Sequence, residues 1–322
     1  MVPEATFTSY YGRPVVKPSP WEADIPAYLF SGGLAAGSSL LAAGADLTDR
    51  PGLRRVGRLG AVAALTFSMG ALVHDLGRPE RFLNMLRTAK LTSPMSVGTW
   101  ILSGYSPFVV VAAVSEVIDL LPVGQHRGVL RGLAAMGRPA GLVAALASPP
   151  VAAYTAVLLA DTATPAWHAA YRELPFVFVG SAAAASGGLA MLASPIDQAG
   201  PARRMALAGA VLEMVAERTM ERSMGMTAEP LHHGKAGRLM TAAKSLTLSG
   251  AAGSVLASRS RWVAALSGAA LMAGSACTRF GIFEAGQESA RDPRYTVIPQ
   301  REHLQRSEPA RGHDETTPPR DA

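Results

Sequence analysis

The sequence predicts an all-α, polytopic membrane helix bundle with about eight transmembrane helices. Of the 322 residues, 49% are hydrophobic and only 17% are charged, whereas a soluble globular protein carries about 25% charged residues. The charged residues concentrate between apolar runs, and a run of roughly 20 apolar residues is long enough to cross a bilayer. Because backbone polar groups cannot stay unpaired in lipid, runs of this length are expected to be helical.

Each predicted span is rich in Ala, Gly, Leu and Val, and short loops join the spans. Small residues in stretches such as "SGGLAAGSSLLAAG" (31–44) allow neighbouring helices to pack closely. The sixth span is the most polar of the set. The predicted spans cover residues 25–47, 56–76, 97–120, 134–160, 173–193, 203–224, 236–258 and 261–284.

These spans divide the chain into three parts. An extramembrane N-terminal segment covers residues 1–24, and a transmembrane domain covers residues 25–286. The tail at 287–322 is rich in Pro, Arg, Glu and Gln and has few large apolar residues, so its composition predicts disorder.

Lysine and arginine in the short loops indicate how the protein lies in the cell membrane. An even number of spans places both termini on the same side. The loops at 48–58, 121–133, 194–204 and 259–261 are short and basic, so we expect them in the cytoplasm. The termini and the loop at 77–96 are then expected outside it. The formal net charge of +6 is explained better by arginines in loops that set the membrane orientation than by nucleic-acid binding.

The residue inventory argues against several redox centres. The single cysteine, Cys277, cannot hold an iron–sulfur cluster or build a cysteine zinc site. A haem with two axial histidines needs two of them in spanning helices, and only His74 lies in a predicted span. We therefore expect neither haem nor an iron–sulfur cluster in this chain.

Ionisable residues inside spans are costly, so each one is a functional hypothesis. Asp24 begins the first span, and His74 and Asp75 end the second, so all three should lie at one membrane edge. A quinone headgroup needs such a set, namely a hydrogen-bond donor and an acid–base partner, and histidine suits this role near neutral pH. An ion pair between Asp75 and Arg78 would explain Asp75 equally well.

A second group of ionisable residues lies in the sixth and seventh spans. Glu213 and Glu217 are four residues apart and so share a helix face. Lys244 should lie at a similar depth on the next helix. The group is either a structural ion pair or part of a proton route. Glu116 and Asp119, near the opposite edge, are interpreted as interfacial.

Three stretches, taken in order, resemble the NrfD-like family, the membrane subunits of polysulphide-reductase-type complexes. They are "WEADIPAYLFSGGLAAG" (21–37), "HDLGRPERFLNMLR" with "SPMSVGTWIL" (74–87 and 93–102), and "YTAVLLADTATPAWHAAYRELPFVFVGSAAAASG" (154–187). The resemblance covers roughly the first two-thirds of the chain, and the last three spans match mainly by pattern. The sequence departs from the family pattern at two places. It has "YTA" where "YTG" is more usual, and "WEAD" where a glycine-led aromatic stretch usually leads into the first helix.

The resemblance implies a subunit without its own redox centre that exchanges electrons between the membrane quinone pool and a partner subunit. The expected quinone is menaquinone, and proton movement is an optional accompaniment. The implied partners are a ferredoxin-like subunit with four iron–sulfur clusters and, beyond it, a molybdopterin catalytic subunit. His74 and Asp75 would take the catalytic role, and Asp24, Tyr28 and Tyr154 would help them bind the quinone. The basic loop residues expected to dock the partner are Arg78, Arg81, Arg87 and Lys90.

Two other functions stay open at this point. An ion or solute transporter would use Glu213, Glu217 and Lys244 together with a fourth helix kinked at Pro149 and Pro150. Such proteins commonly contain repeated halves, and this sequence has no convincing second copy of its 74–79 motif. A passive anchor would only hold a catalytic partner at the membrane.

Overall fold

The computed structural model describes residues 14–76, 78, 80, 84, 86, 87, 89–120 and 128–307, with side chains up to residue 302. These residues form α-helices and one 3₁₀ helix, and no strand occurs among them. The all-α prediction is therefore confirmed. The helices are α1 (Asp24–Leu47), α2 (Pro51–Asp75), α3 (Pro94–Leu120), α4 (Val129–Ala160), α5 (Pro165–Ala169), α6 (Leu174–Ala193), α7 (Gly200–Met224), the 3₁₀ helix Gly225–Leu231, α8 (Gly234–Leu256), α9 (Arg261–Arg291) and α10 (Arg294–Ser307).

Among the described residues, six helices are long and apolar enough to cross a membrane, namely α1, α2, α3, α4, α6 and α9. The sequence analysis predicted about eight spans. Helices α7 and α8 lie at the predicted positions and are long enough, with 25 and 23 residues. Their charged residues make them less apolar than the other six, and for this reason they fall outside the set. The chain is a multi-pass membrane bundle with α7 and α8 packed into it.

Helices α2 and α4 begin earlier than their apolar runs. Helix α2 starts at Pro51, because proline at the first helical position needs no backbone hydrogen-bond partner. The side-chain oxygen of Gln198 accepts hydrogen bonds from the backbone N–H groups of Gly52 and Leu53, which satisfies further donors of the first turn. Helix α4 continues as a single helix through Pro149 and Pro150, the positions where the sequence predicted a kink.

Small residues bring the helices into close contact, as the sequence predicted. Helix α1 lies at the centre and packs against α2, α4, α6 and α9. A Cβ atom on Gly37 of α1 would lie 2.3 Å from Oγ of Ser186 in α6. A Cβ atom on Gly188 of α6 would lie 2.6 Å from the carbonyl oxygen of Gly268 in α9. Only glycine fits at these two crossings without moving a neighbouring backbone or side chain.

Residues 287–291 and 294–307, in the first part of the tail for which composition predicts disorder, are helical, and residues 308–322 lie outside the described residues. Helix α9 continues to Arg291, and α10 follows as far as Ser307. Near the end of α9, the Gln287 side chain is buried and donates hydrogen bonds of 3.1 Å to the carbonyl groups of Ser19 and Trp21. The segment that contains Ser19 and Trp21 is therefore tied to the end of α9, and sequence composition alone cannot reveal such a long-range contact.

The antiparallel arrangement of the helices defines two edges of the bundle. The N-terminal edge is the one at which α1 begins and α2 ends, and it carries Asp24 and His74. The opposite edge is the one at which α1 ends and α2 begins, and it carries Asp46 and Arg54.

Candidate functional site

A histidine–aspartate pair joins the first two helices at the N-terminal edge. Nδ1 of His74, at the end of α2, lies 2.7 Å from Oδ2 of Asp24, at the start of α1. The His74 side chain is 81% exposed and that of Asp24 is 35% exposed. The pair therefore sits at the surface of the edge, and Nδ1 is the ring nitrogen that contacts Asp24. The sequence analysis placed these two residues at one edge, and the structure brings them into contact.

Asp75 is half-buried beside this pair. Its carboxylate lies within hydrogen-bonding reach of the backbone of Glu22, in the segment that leads into α1. The alternative ion pair with Arg78 does not form among the described residues, since neither side chain makes a salt bridge there. Asp75 thus belongs to the same edge as Asp24 and His74 and adds a second carboxylate to it.

Two tyrosine hydroxyl groups meet one helical turn deeper. Tyr28 follows Asp24 by four residues on α1, and its hydroxyl group makes a hydrogen bond with that of Tyr154 on α4. Both side chains are buried. The Tyr154 ring packs against Gly98 of α3, where an added Cβ atom would lie 2.5 Å from the ring. The hydroxyl of Ser68 on α2 donates a 3.3 Å hydrogen bond to the Tyr28 carbonyl oxygen. Helices α1 to α4 therefore all contribute residues to the surroundings of the two tyrosines.

A cavity lies between α2 and α3, next to the Tyr28–Tyr154 pair. It has a volume of about 190 Å³ and presents three hydroxyl groups and three apolar side chains. One of its lining residues, Thr99, directly follows Gly98, which touches Tyr154, and another, Leu72, comes two residues before His74. The cavity is lined by Met69, Leu72, Thr99, Leu102, Ser103 and Ser106. The lining is mostly apolar, and its three hydroxyl groups donate hydrogen bonds to carbonyl groups of α3 itself.

The basic loop that follows α2 belongs to the same edge. Arg78, Arg87 and Lys90 are exposed to solvent. The backbone N–H of Lys90 donates a 3.0 Å hydrogen bond to Oγ of Ser96, which fixes the end of the loop at the start of α3. Arg81, the fourth predicted docking residue, lies outside the described residues.

The second ionisable group, on α7 and α8, extends further than predicted. Nζ of Lys244 lies 3.4 Å from Glu217 and 2.8 Å from Glu221. Glu213 is not paired with the lysine; it accepts a 2.7 Å hydrogen bond from the hydroxyl of Thr278 on α9. The sequence analysis missed Glu221, although its position four residues after Glu217 repeats the spacing that marked the first two. Three carboxylates thus lie along one face of α7.

These carboxylates lead from the interior to the N-terminal edge. Glu213 and Glu217 are almost completely buried, whereas the Glu221 side chain is 21% exposed and lies 4.0 Å from Nε2 of His232. Near Glu213, the guanidinium of Arg279 lies 3.7 Å from the Phe178 ring centre and donates a 2.7 Å hydrogen bond to the Phe178 carbonyl oxygen.

Sequence reasoning also missed a buried ion network at the opposite edge. Glu116, interpreted from the sequence as interfacial, is completely buried on α3. Its Oε1 accepts hydrogen bonds of 2.5 Å from Nε of Arg54 and 3.1 Å from Nη1 of Arg58. Because these arginines precede Glu116 by 62 and 58 residues, no local pattern in the sequence links them.

The fold and the edge geometry define a multi-pass helical membrane protein with a mainly apolar crevice and a histidine–carboxylate pair at one edge. The comparisons with known proteins narrow this class. The family model described as "Polysulphide reductase, NrfD" matches residues 15–206, which is more than half of the chain. The chain therefore belongs to the NrfD family, which confirms the resemblance seen in the sequence. The matched range includes Asp24, Tyr28, His74, Asp75 and Tyr154.

A curated relative agrees with this assignment. The protein is 30% identical over 182 residues to a chain of the polysulfide reductase of Wolinella succinogenes. The alignment covers 52% of this protein and 57% of that relative, so the match spans a little more than half the length of each. Membership of this family agrees with the multi-pass membrane fold. The individual roles of the edge residues stay predictions.

Proposed function

We propose that this chain binds a membrane quinone, with menaquinone as the expected type, and exchanges electrons between it and an iron–sulfur partner subunit. One observation carries the proposal: the Asp24–His74 pair and the Tyr28–Tyr154 pair lie one turn apart on α1, next to a cavity of about 190 Å³. Donors and acceptors at two depths beside a crevice in a membrane bundle match the needs of a quinone headgroup.

The chemistry of the proposed site is proton transfer. Conversion of a quinone to its quinol takes up two electrons and two protons, and the reverse reaction releases them. His74 exchanges one proton with the bound headgroup through Nε2, and Asp24 holds the imidazole in position through Nδ1. Asp75 provides a second carboxylate at the edge for passing protons to water. This role assigns acid–base work to His74 and Asp75, and binding work to Asp24, Tyr28 and Tyr154.

The electrons come from or go to a partner subunit, because this chain is expected to carry no redox group of its own. The exposed cations Arg78, Arg87 and Lys90 lie at the same edge as the crevice. They form a surface for an acidic face of a ferredoxin-like subunit with four iron–sulfur clusters, and a molybdopterin subunit completes the complex. Arg81 extends the same basic loop. A short distance between quinone and docking surface favours electron transfer.

Measurement of quinol oxidation by the purified complex tests the proposal. His74→Ala and Asp75→Asn should each lower turnover by about 100-fold or more, since they remove an acid–base group, while the complex still assembles. His233→Ala is the matched control, because His233 is exposed and its Nδ1 contacts the carbonyl oxygen of Glu229 in its own segment. Unchanged turnover in both edge variants, with assembly intact, would overturn the proposed site.

Proton movement through α7 is a second candidate activity, and the row of Glu213, Glu217 and Glu221 favours it. Lys244 bridges the outer two carboxylates, and Glu221 opens towards the N-terminal edge. Glu217→Gln should reduce proton uptake per quinol oxidised in vesicles, with Glu288→Gln, an exposed carboxylate, as the control. Equal proton uptake in the two variants would assign Glu217 and Lys244 to a structural ion pair. Solute uptake by the isolated protein would instead support a transporter.

A further inference from the structure

Four arginines converge at the opposite edge, on the side of the bundle away from the proposed quinone site. Three come from the first two turns of α2 and one from the start of α4. They surround carboxylates from the ends of α1 and α3, with nitrogen-to-oxygen distances between 2.5 and 3.8 Å. The members of this arginine cluster are Arg54, Arg55, Arg58 and Arg138, with Asp46 and Glu116.

The inner half of the arginine cluster is a closed ion network. The side chains of Arg58 and Glu116 are 6% and 0% exposed, and they form a 3.1 Å ion pair. Gly137 on α4 permits this burial, because an added Cβ atom would lie 2.0 Å from Oγ of Ser115 and 3.3 Å from Nη1 of Arg58. A buried charge is tolerated only when paired in this way, so the inner half has a structural role.

The outer half is open and incompletely neutralised. The Arg55 and Arg138 side chains are 42% and 66% exposed, and each makes one long ion contact, of 3.8 Å and 3.5 Å. Asp119 is exposed one turn beyond Glu116, and its negative charge also attracts Arg58. Even with this residue counted, four guanidinium groups face three carboxylates.

Two buried donors in the arginine cluster also lack acceptors. Among the described residues, Nε of Arg55 and Nε of Arg58 have no hydrogen-bond partner. Arg58 lines a cavity of about 10 Å³ with Ser39 and Gly141, which is room for one water molecule. A water can therefore satisfy Arg58. Arg55 does not line that cavity. Its Nε lies 3.8 Å from Oε2 of Glu116, which also makes no hydrogen bond among the described residues, and its side chain is 42% exposed. An acceptor from outside the bundle can therefore reach the exposed part of this side chain.

Exposed apolar side chains border the arginine cluster. Leu47 follows Asp46 directly and is 61% exposed, and Val117 follows Glu116 directly and is 47% exposed. A ligand held by Arg55 and Arg138 would thus meet both cations and hydrocarbon at a membrane edge. Arginine binds phosphate through paired N–H groups, and basic pockets between transmembrane helices favour anionic lipid headgroups.

We propose that the arginine cluster binds an anionic phospholipid, with Arg55 and Arg138 contacting the headgroup phosphate. The acyl chains lie along the apolar surface that begins at Leu47 and Val117. The observations favour a lipid over free phosphate because the open cations border exposed hydrocarbon. Such a lipid completes the charge balance of the outer half and bridges α2 and α4.

Lipid titration of the detergent-purified chain tests this site. Native mass spectrometry would compare phosphatidylglycerol, phosphatidylcholine and inorganic phosphate as probes. The double variant Arg55→Gln/Arg138→Gln leaves the buried pair of Arg58 and Glu116 intact, so the fold should survive. We expect it to bind phosphatidylglycerol roughly 30-fold more weakly than the native chain, at about 1 kcal/mol per arginine. Arg204→Gln, an exposed arginine on the same edge but outside the cluster, is the control.

Four results would overturn the proposal. The first is equal binding of phosphatidylglycerol and phosphatidylcholine by the native chain. The second is undiminished phosphatidylglycerol binding by the double variant, and the third is an equal loss of binding in the Arg204→Gln control. The fourth is displacement of phosphatidylglycerol by inorganic phosphate at equal concentration, which would define a free-anion site.

Discussion

At the scale of single residues, the Tyr28–Tyr154 pair offers the sharpest chemical test of the proposed quinone site. Tyr154→Phe keeps the ring against Gly98 and removes only the hydroxyl that meets Tyr28. We expect about tenfold lower quinol turnover, the equivalent of one hydrogen bond lost from the bound headgroup. Steady-state assays of the complex measure this effect.

The control for this change is Tyr171→Phe. Tyr171 is an exposed tyrosine near the same edge, and its hydroxyl accepts a hydrogen bond from the neighbouring Arg172. Its removal should leave turnover unchanged. Equal turnover in the two phenylalanine variants would remove Tyr154 from the proposed site.

Two glycines on α3 provide a matched pair for the packing of the site. A Cβ atom on Gly98 would lie 2.5 Å from the Tyr154 ring, whereas one on Gly104 would meet no atom within 4 Å. We therefore expect Gly98→Ala to displace Tyr154 and lower turnover several-fold, and Gly104→Ala to have no effect. Turnover and thermal unfolding of both variants check this. A loss of the same size in both would mean that α3 tolerates no alanine, and that the effect is not specific to Tyr154.

At the scale of helices, the contact between the N-terminal segment and α9 depends on one side chain. Gln287 donates to the carbonyl groups of both Ser19 and Trp21, and Trp21 stacks on Trp167 at 6.0 Å. Gln287→Ala should speed amide hydrogen exchange across residues 14–23, because it removes both hydrogen bonds. Exchange measured by mass spectrometry would show this. Glu288→Ala, the exposed neighbour, should not change the rate, and a similar increase in both variants would refute the assigned role.

The helices and one part of the site could be predicted because both depend on local information. Apolar runs set the positions of the spans, and the antiparallel connection from α1 to α2 requires Asp24 and His74 to share an edge. The pairing of Tyr28 with Tyr154 depends on how α1 packs on α4, across 126 residues, and sequence spacing carries no such information. The burial of Glu116 is missed for the same reason, since its arginine partners lie on another helix.

At the scale of the whole molecule, the direction of the bundle in the membrane stays a prediction. We expect the N-terminal edge outside the cytoplasm. In a Cys277→Ala background, Arg172→Cys lies at this edge and Arg204→Cys at the opposite edge, and both positions are exposed. A membrane-impermeant maleimide added to intact cells should label only the first variant. Labelling of only the second variant would mean that the N-terminal edge faces the cytoplasm. The basic loop and its docking partner would then lie in the cytoplasm.

Photolabelling of the purified complex with an azidoquinone, followed by peptide mapping, locates the bound quinone. We expect covalent label on α2 or α3 around the crevice, between Met69 and His74 or between Thr99 and Ser106, and loss of that label when excess quinone competes. Label confined to α7, α8 or the opposite edge, with the crevice peptides unmodified, would contradict the proposed quinone site.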